Sequence, residues 1–467
     1  MGSALVPGFP STLEWLNAPV PAVARPGWLT AIAFVNIGSA WSVQALHELQ
    51  ALRTRFPSRV RVFAVHVPRF DHERDPRRVM KRAHRHGVHL PLALDADWVA
   101  WQHFGVKSWP TIFVVDGEGH LQARLEGGGT FAELERRVQA MEFDAPEEPE
   151  MPLPRRAREP DMPLCFPVGL AVTPQYLYVA DSGHHRVLEC NHAGRVLRVF
   201  GSGDAGFMDG DATHAAFHCP SGIALLRDAL YVADCGNHAV RRINLRTGDI
   251  DTLCGNGRHG VPKEGVIRDP RSVQLDAPRA VAVVNDQLYI ALAGDNRIWS
   301  YDLGRARLSL RAGSGALAVQ DGTGKTAAFA QPVALAAVQQ TLYVCDSAGS
   351  AIRSMRDDAV QTLIGQGSFA FGHTDGPRTI AQLQDPQAIA LDPDAPLLWI
   401  ADGGNDRLRS LRLGGGDLTT HMLPHPLHGP AGLAVGAGAV WIADTDAHAV
   451  LRVDPKTGAV QHVPVGE

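Results

Sequence analysis

The chain has 467 residues, enough for about three domains of roughly 150 residues, or for two if one is a large all-β unit. Hydrophobic residues make up 45% and charged residues 20%, which excludes wholesale disorder. A net charge of −5 and a pI near 6.5 exclude a generally basic nucleic-acid binder.

Gly (47) and Pro (32) are both plentiful, which points to a turn-rich chain. The longest apolar runs, such as 433–443, fall short of the roughly 20 residues of a membrane-spanning helix. No basic residue precedes Arg25, and Val6 breaks the myristoylation pattern, so the expected location is the cytoplasm. The six cysteines (Cys165, Cys190, Cys219, Cys235, Cys254 and Cys345) include no Cys-x-x-Cys pair. They read as reduced core thiols.

In chain order, Leu29–Ile37 is a continuous apolar run, as in a buried parallel strand. Trp41–Phe56 carries Val43, Leu46, Leu49, Leu52 and Phe56 at helical spacing. A second strand is predicted over Val60–Val67, a basic helix over Pro76–His86, a short strand over Leu90–Leu94 and a short helix over Asp97–Phe104. Strands Thr111–Val115 and His120–Leu125 flank a hairpin turn, and a helix over Phe131–Met141 follows. Residues 146–164 hold six prolines and eight charges, so they form a linker. The domains predicted are therefore 1–145, a linker 146–164, and 165–467.

Past the linker the chain repeats itself. Six times a proline opens a small apolar run, then an aromatic-centred strand and a polar turn. Tyr231-Val-Ala-Asp-Cys-Gly-Asn-His238 is the clearest copy. The anchors Tyr178, Tyr231, Tyr289, Tyr343, Trp399 and Trp441 lie 42 to 58 residues apart. Units of several short strands at that period are propeller blades, and six of them must close into a ring to cover their apolar faces. Gly201–Gly206 matches the dinucleotide pattern GxGxxG, but it leads into Phe-Met-Asp-Gly and has kin between other blades, so it is a loop.

The repeats resemble NHL repeats. The order of elements before the linker, with Trp109-Pro110-Thr111 ahead of a strand, resembles a thioredoxin fold, in which this proline is cis. Together, the opening Phe9-Pro-x-x-Leu-Glu-Trp-Leu-Asn17, this unit, the linker and the six repeats resemble the NHL repeat-containing protein 2-like family. The resemblance implies an α/β thioredoxin-like fold followed by an all-β six-bladed propeller. It also implies a Cys-x-x-Cys at the start of the first helix, and here those positions are Ser39 and Ser42. A hydroxyl forms no disulfide and stays protonated without a base, so dithiol chemistry is not expected in this domain. Ser39 is expected to cap the helix. A serine nucleophile with His47 lacks any visible triad.

A groove for an extended peptide remains possible in such a fold, lined by Trp41, Trp109, Pro110 and Thr111. On the propeller, the strand-end Asp181, Asp234, Asp346, Asp402 and Asp444 recur in register and share one face, where recurrence argues for a turn role. His185 and Arg186, His238, Asn296 and Arg297, Arg407 and His448 stand beside them and complete the candidate binding face. Residues 165–467 hold 25 basic and 30 acidic side chains, giving no basic excess for RNA. The His84, His86, His89 and His421, His425, His428 groups lack the frame of a metal site. The reading is a non-catalytic protein- or peptide-binding scaffold with no cofactor, metal, nucleic acid or membrane partner. Its alternative is an enzyme, either a hydrolase or lyase in the propeller channel or a redox activity of the propeller cysteines.

Overall fold

The computed structural model describes residues 4–127, 131–140, 162–367 and 369–466. The chain divides into two compact units, Met1–Arg158 and Glu159–Glu467. Most of the expected linker lies outside the described residues.

The first unit is one sheet of six strands. Central β2 (Leu29–Val35) runs parallel to β3 (Val60–His66), which runs parallel to β4 (Leu92–Leu94). On the other side β5 (Thr111–Val115) and β6 (Leu121–Glu126) continue antiparallel. A two-residue strand that the sequence did not announce, β1 (Glu14–Trp15), closes the far edge against β4. All seven residues of β2 are buried because helices cover both faces. Ala31, Ala33 and Val35 meet Leu46, Leu49 and Leu52 of α1 (Ala40–Arg55) and Leu134 and Val138 of α4 (Phe131–Ala140). Ile32 and Phe34 meet Phe104, Phe113 and the residues around α3 (Val99–His103). The remaining helix, α2, spans Pro76–Arg85, with Asp75 capping it through Arg77 N–H.

The second unit is six antiparallel sheets of four strands, with a two-residue fifth strand in the third and fourth. The inner strands are Pro167–Val172, Pro220–Leu226, Pro278–Val284, Pro332–Val338, Ala388–Leu391 and Gly432–Gly436. Each neighbours the next, and the last neighbours the first. Blade 6 carries its own outer strand, Val460–Val463, so the ring closes without a borrowed strand. The anchoring aromatics pack across the seams. Tyr178 packs against Ile223 and Val232 of blade 2, and Trp441 against Leu170 and Val179 of blade 1. At the closing seam a Cβ on Gly432 would lie 1.6 Å from Val168 O, so only glycine lets the inner strands approach.

The second strand of every blade ends where the third begins, at the strand-end position (Asp181, Asp234, Leu292, Asp346, Asp402, Asp444). The fourth strand returns to that same rim, and the spacer to the next inner strand crosses it. The longer loops of the propeller therefore gather on one face.

Candidate functional site

At the start of α1, Ser39 stands at the N-cap with extended backbone, but its side chain makes no capping bond. The expected capping role is corrected accordingly. Ser42, fully buried, is the engaged hydroxyl: its Oγ accepts Asn36 N–H at 3.2 Å. Asn36 Nδ2 donates to Glu73 Oε2 at 2.6 Å, and Arg82 donates to Glu73 Oε1 at 3.2 Å. The backbone amides of Arg69 and Phe70 also reach the Glu73 carboxylate, at 2.7 and 3.2 Å. A Cβ on Gly38 would lie within 3 Å of Glu73, Arg82 and Asn36, so the loop leading into α1 is moulded on this buried polar group. Beside it, His66 Nδ1 accepts Ile37 N–H at 3.2 Å. Burial lowers the His66 pKa to about 4, which keeps the ring neutral. Asn36 interrupting an apolar run was the one sequence signal for this cluster. His47 is turned away from both serines, bonding His86 O at 2.6 Å, and no Ser-His pair forms there.

The groove candidates do not all face outward. Thr111 is fully buried, its hydroxyl bound to Ser108 O at 2.7 Å, and Pro110 is buried. Trp41 and Trp109 are half-buried. Trp109 packs on Trp101 and Trp98 with ring centroids 4.9 and 5.3 Å apart. The Trp109–Pro110 peptide is cis. Pro110 O accepts Gly127 N–H, whereas the amide and carbonyl of Trp109 have no backbone partner among the described residues.

On the propeller the strand-end aspartates are fully buried, which removes Asp181, Asp234, Asp346, Asp402 and Asp444 as ligand-facing groups. Each takes a backbone amide from the start of its own blade: Cys165, His218, Ala330, Gln384 and His428 respectively. In blades 2, 4 and 5 the second oxygen meets a fully buried arginine seven residues on. The pairs are Asp234–Arg241 (2.9 Å), Asp346–Arg353 (3.2 Å) and Asp402–Arg409 (3.0 Å). The same arginines reach Asp209, Asp321 and Asp375 in the preceding spacers, so each ties a spacer to its blade. Blade 1 substitutes His184 and Arg186 on Asp181. Blade 3 has Leu292 in place of the aspartate, and pairs Asp295 with Arg297 and Trp299. Blade 6 has only His428 on Asp444, and burial raises the Asp444 pKa to about 6.

A second ring of contacts staples blade to blade. The left-handed residue after each rim turn (His185, His238, Asn296, Ser350, Asp406 and His448) has φ between 48° and 56°. Its side chain accepts the backbone N–H of the residue before the proline that opens the next blade: Cys219, Ala277, Gln331, Asp385, Gly429 and, closing the ring, Phe166. His185, His238, Asn296 and His448 are thus seam residues. Of the remaining face candidates, Arg186 and Arg297 are ion-paired and Arg407 is exposed.

An NHL repeat model matches residues 217–243, the inner three strands of blade 2. Human NHL repeat-containing protein 2 is 27% identical over 518 residues, covering 98% of this chain and 71% of that protein. The chain is thus similar over nearly its whole length to NHL repeat-containing protein 2. Protein SUPPRESSOR OF QUENCHING 1, chloroplastic, from Arabidopsis thaliana is 29% identical over 502 residues, covering 97% of this chain and 47% of its own. Thiol-disulfide oxidoreductase YkuV of Bacillus subtilis is 28% identical over 134 residues, 28% of this chain and 90% of its own.

The six cysteines are free thiols. Burial raises the pKa of Cys190 and Cys254 to about 12, and raises those of Cys235 and Cys345. Neither histidine group gathers as a metal cluster among the described residues. Asp116, Glu118 and His120 do come together, but Asp116 accepts the amides of the other two and thereby forms the hairpin turn. No helix among the described residues is long and apolar enough to cross a membrane.

Proposed function

We propose that the protein is a non-catalytic binding scaffold of the cytoplasm, with the propeller rim as its main protein-binding surface and a redox-inactive thioredoxin-like unit offering a second. The pair of serines at the start of α1 carries this reading. Ser42 is buried and already bonded to Asn36 N–H, and the unit contains no thiol. The main chain of Trp109, which has no backbone partner among the described residues, lies beside the Trp98–Trp101–Trp109 cluster and is suited to an extended peptide strand. The raised propeller thiols weigh against the redox alternative, since the thiolate is the reactive form.

Insulin disulfide reduction with dithiothreitol tests the redox half. The protein is expected to add nothing to the reagent rate, whereas the S39C/S42C double variant is expected to form a disulfide at the helix N-terminus. Turnover by the wild type rejects the reading. Affinity capture on the intact chain tests the binding half. A partner recovered by the wild type should be reduced with Trp109→Ala or with a propeller-rim variant, at unchanged unfolding midpoint. A partner insensitive to both rejects the assignment of surfaces.

A further inference from the structure

Each blade ends in a fourth strand whose far edge faces away from the ring, and in four blades the chain itself covers that edge. In blade 2 the spacer residue Gly210 exchanges two main-chain bonds with Ile250, at 3.0 and 2.7 Å. In blade 5 Gly376 does the same with Leu418, at 2.9 Å each way. Blades 3 and 4 add the two-residue strands Val266–Ile267 and Gly322–Thr323, antiparallel to Arg307–Ala312 and Ala359–Ile364. Among the described residues no strand or bridge covers the outer strands of blade 1 (Val196–Phe200) and blade 6 (Val460–Val463). Blade 6 exposes Gln461 and His462 there, polar side chains of the kind that keep an edge unpaired. Blade 1 instead exposes Leu197 and Val199, by 43% and 39%. Ile250, Leu308, Val360 and Leu418, the aliphatic residues that the spacers meet, are all buried.

The backbone of blade 1 is set for the same pairing. Asn191 N–H donates to Arg195 O at 3.0 Å across the turn, as Asn244 N–H donates to Asp249 O in blade 2. Alternation along the strand then turns the amide and carbonyl of Val196 outward, as it turns those of Ile250. A register shift between Val196 and Arg198 ends the regular ladder, so a strand added here is short, like those of the spacers. Arg195 beside it is exposed and makes no ion pair among the described residues. A second copy of the chain pairing through its own Val196 would bring two Arg195 side chains to diagonal positions, within reach of one another as like charges. A foreign strand with an acidic residue there meets opposite charge instead. We infer that the outer edge of blade 1 takes from a partner protein a short antiparallel strand, with apolar side chains for Leu197 and Val199 and an acidic residue for Arg195. This surface lies on the periphery of the propeller, apart from the rim, and goes beyond the binding-scaffold reading.

The test uses the full chain and a bead library of eight-residue peptides with alternating apolar positions and one terminal glutamate. A matched library carries N-methyl groups on alternate backbone amides. The wild type should retain the unmethylated library about tenfold better, the scale of one or two main-chain hydrogen bonds. A retained peptide should slow hydrogen exchange at Val196. The double variant Leu197→Lys/Val199→Lys, and Leu197→Lys alone, should lose retention at an unchanged unfolding midpoint. Arg195→Glu should shift retention to a library with lysine in place of the glutamate. Equal retention of the methylated and unmethylated libraries, retention of neither, retention untouched by Leu197→Lys, or slowed exchange away from blade 1 overturns the assignment. A dimer of the wild type that Leu197→Lys dissociates also overturns it, in favour of a second copy. Trp109→Ala and variants of the propeller rim should leave retention unchanged, so failure here leaves the binding-scaffold reading standing.

Discussion

Blades 5 and 6 bury an aspartate at the same place and treat it differently. Asp402 meets the guanidinium of Arg409 at 3.0 Å, and that side chain also holds Gln382 O, Thr374 O and Asp375. Asp444 has Leu451 where the arginine would stand, and meets only the half-exposed His428 at 3.3 Å. Both accept a backbone amide at the blade entrance. The carboxylate is thus retained for the amide it receives, while the arginine serves a separate task, anchoring the spacer. A recurring residue has one common role and a variable one, and only the contacts separate them.

The largest effect should come from breaking the blade 5 arrangement. Arg409→Leu leaves Asp402 buried and unpaired and releases the spacer at Asp375. Removing one partner of a buried pair costs about 3–5 kcal/mol, so denaturant unfolding should show a loss of that order. Arg241→Leu and Arg353→Leu should behave alike, because their partners are the same.

Exchanging the acid itself sharpens the contrast. At pH 7.5, Asp402→Asn leaves Arg409 as an uncompensated buried cation and should cost roughly 3 kcal/mol. Asp444→Asn keeps an acceptor for His428 N–H and strands no cation, so it should cost less than about 1 kcal/mol. The pH dependence follows. A carboxyl raised to about 6 from an unfolded value near 3.9 binds more protons folded than unfolded in that window. Its contribution is fully present below about pH 4 and is lost as pH rises through about 6. Asp444→Asn should remove that part of the slope from a pH series of unfolding midpoints. An unchanged slope would mean that Asp444 is ionised throughout.

Much of this was legible in the sequence. Six aromatic anchors marked six blades, and the serines at 39 and 42 marked the missing thiols. The arginine seven residues after the aspartate in blades 2, 4 and 5 was also there to be read, and its absence from blades 1 and 6 predicted the divergence just described. The rest depends on through-space partners. Glu73 gave no sign that its carboxylate would bond Asn36. Strand β1 is two residues long and has no periodicity to detect. The register of aspartates said that they share a rim but not that they point inward, because one residue of strand register decides the facing.

The seams offer the next test. His448 accepts Phe166 N–H at 3.1 Å and so links the last blade to the first. His448→Leu leaves that buried amide unsatisfied and should cost about 1–2 kcal/mol. Hydrogen exchange should rise first at blades 6 and 1, while His448→Asn, able to accept the same bond, should restore protection.

The smallest effects lie at the start of α1, where position and contact again part company. An N-cap serine replaced by alanine usually costs about 1 kcal/mol, because its oxygen binds a free amide of the first helical turn. Ser39 has the position and the extended backbone but no such bond, so Ser39→Ala should change stability by less than about 0.5 kcal/mol. Ser42 lies inside the helix, where alanine is the better helix former. Its Oγ nevertheless accepts the buried amide of Asn36, and losing that acceptor should cost about 1 kcal/mol net. The order expected from the helix position alone is therefore reversed. Unfolding midpoints of the two variants measured side by side decide it: if Ser39→Ala is the more costly, the hydroxyl caps the helix in solution and the Asn36 bond contributes little.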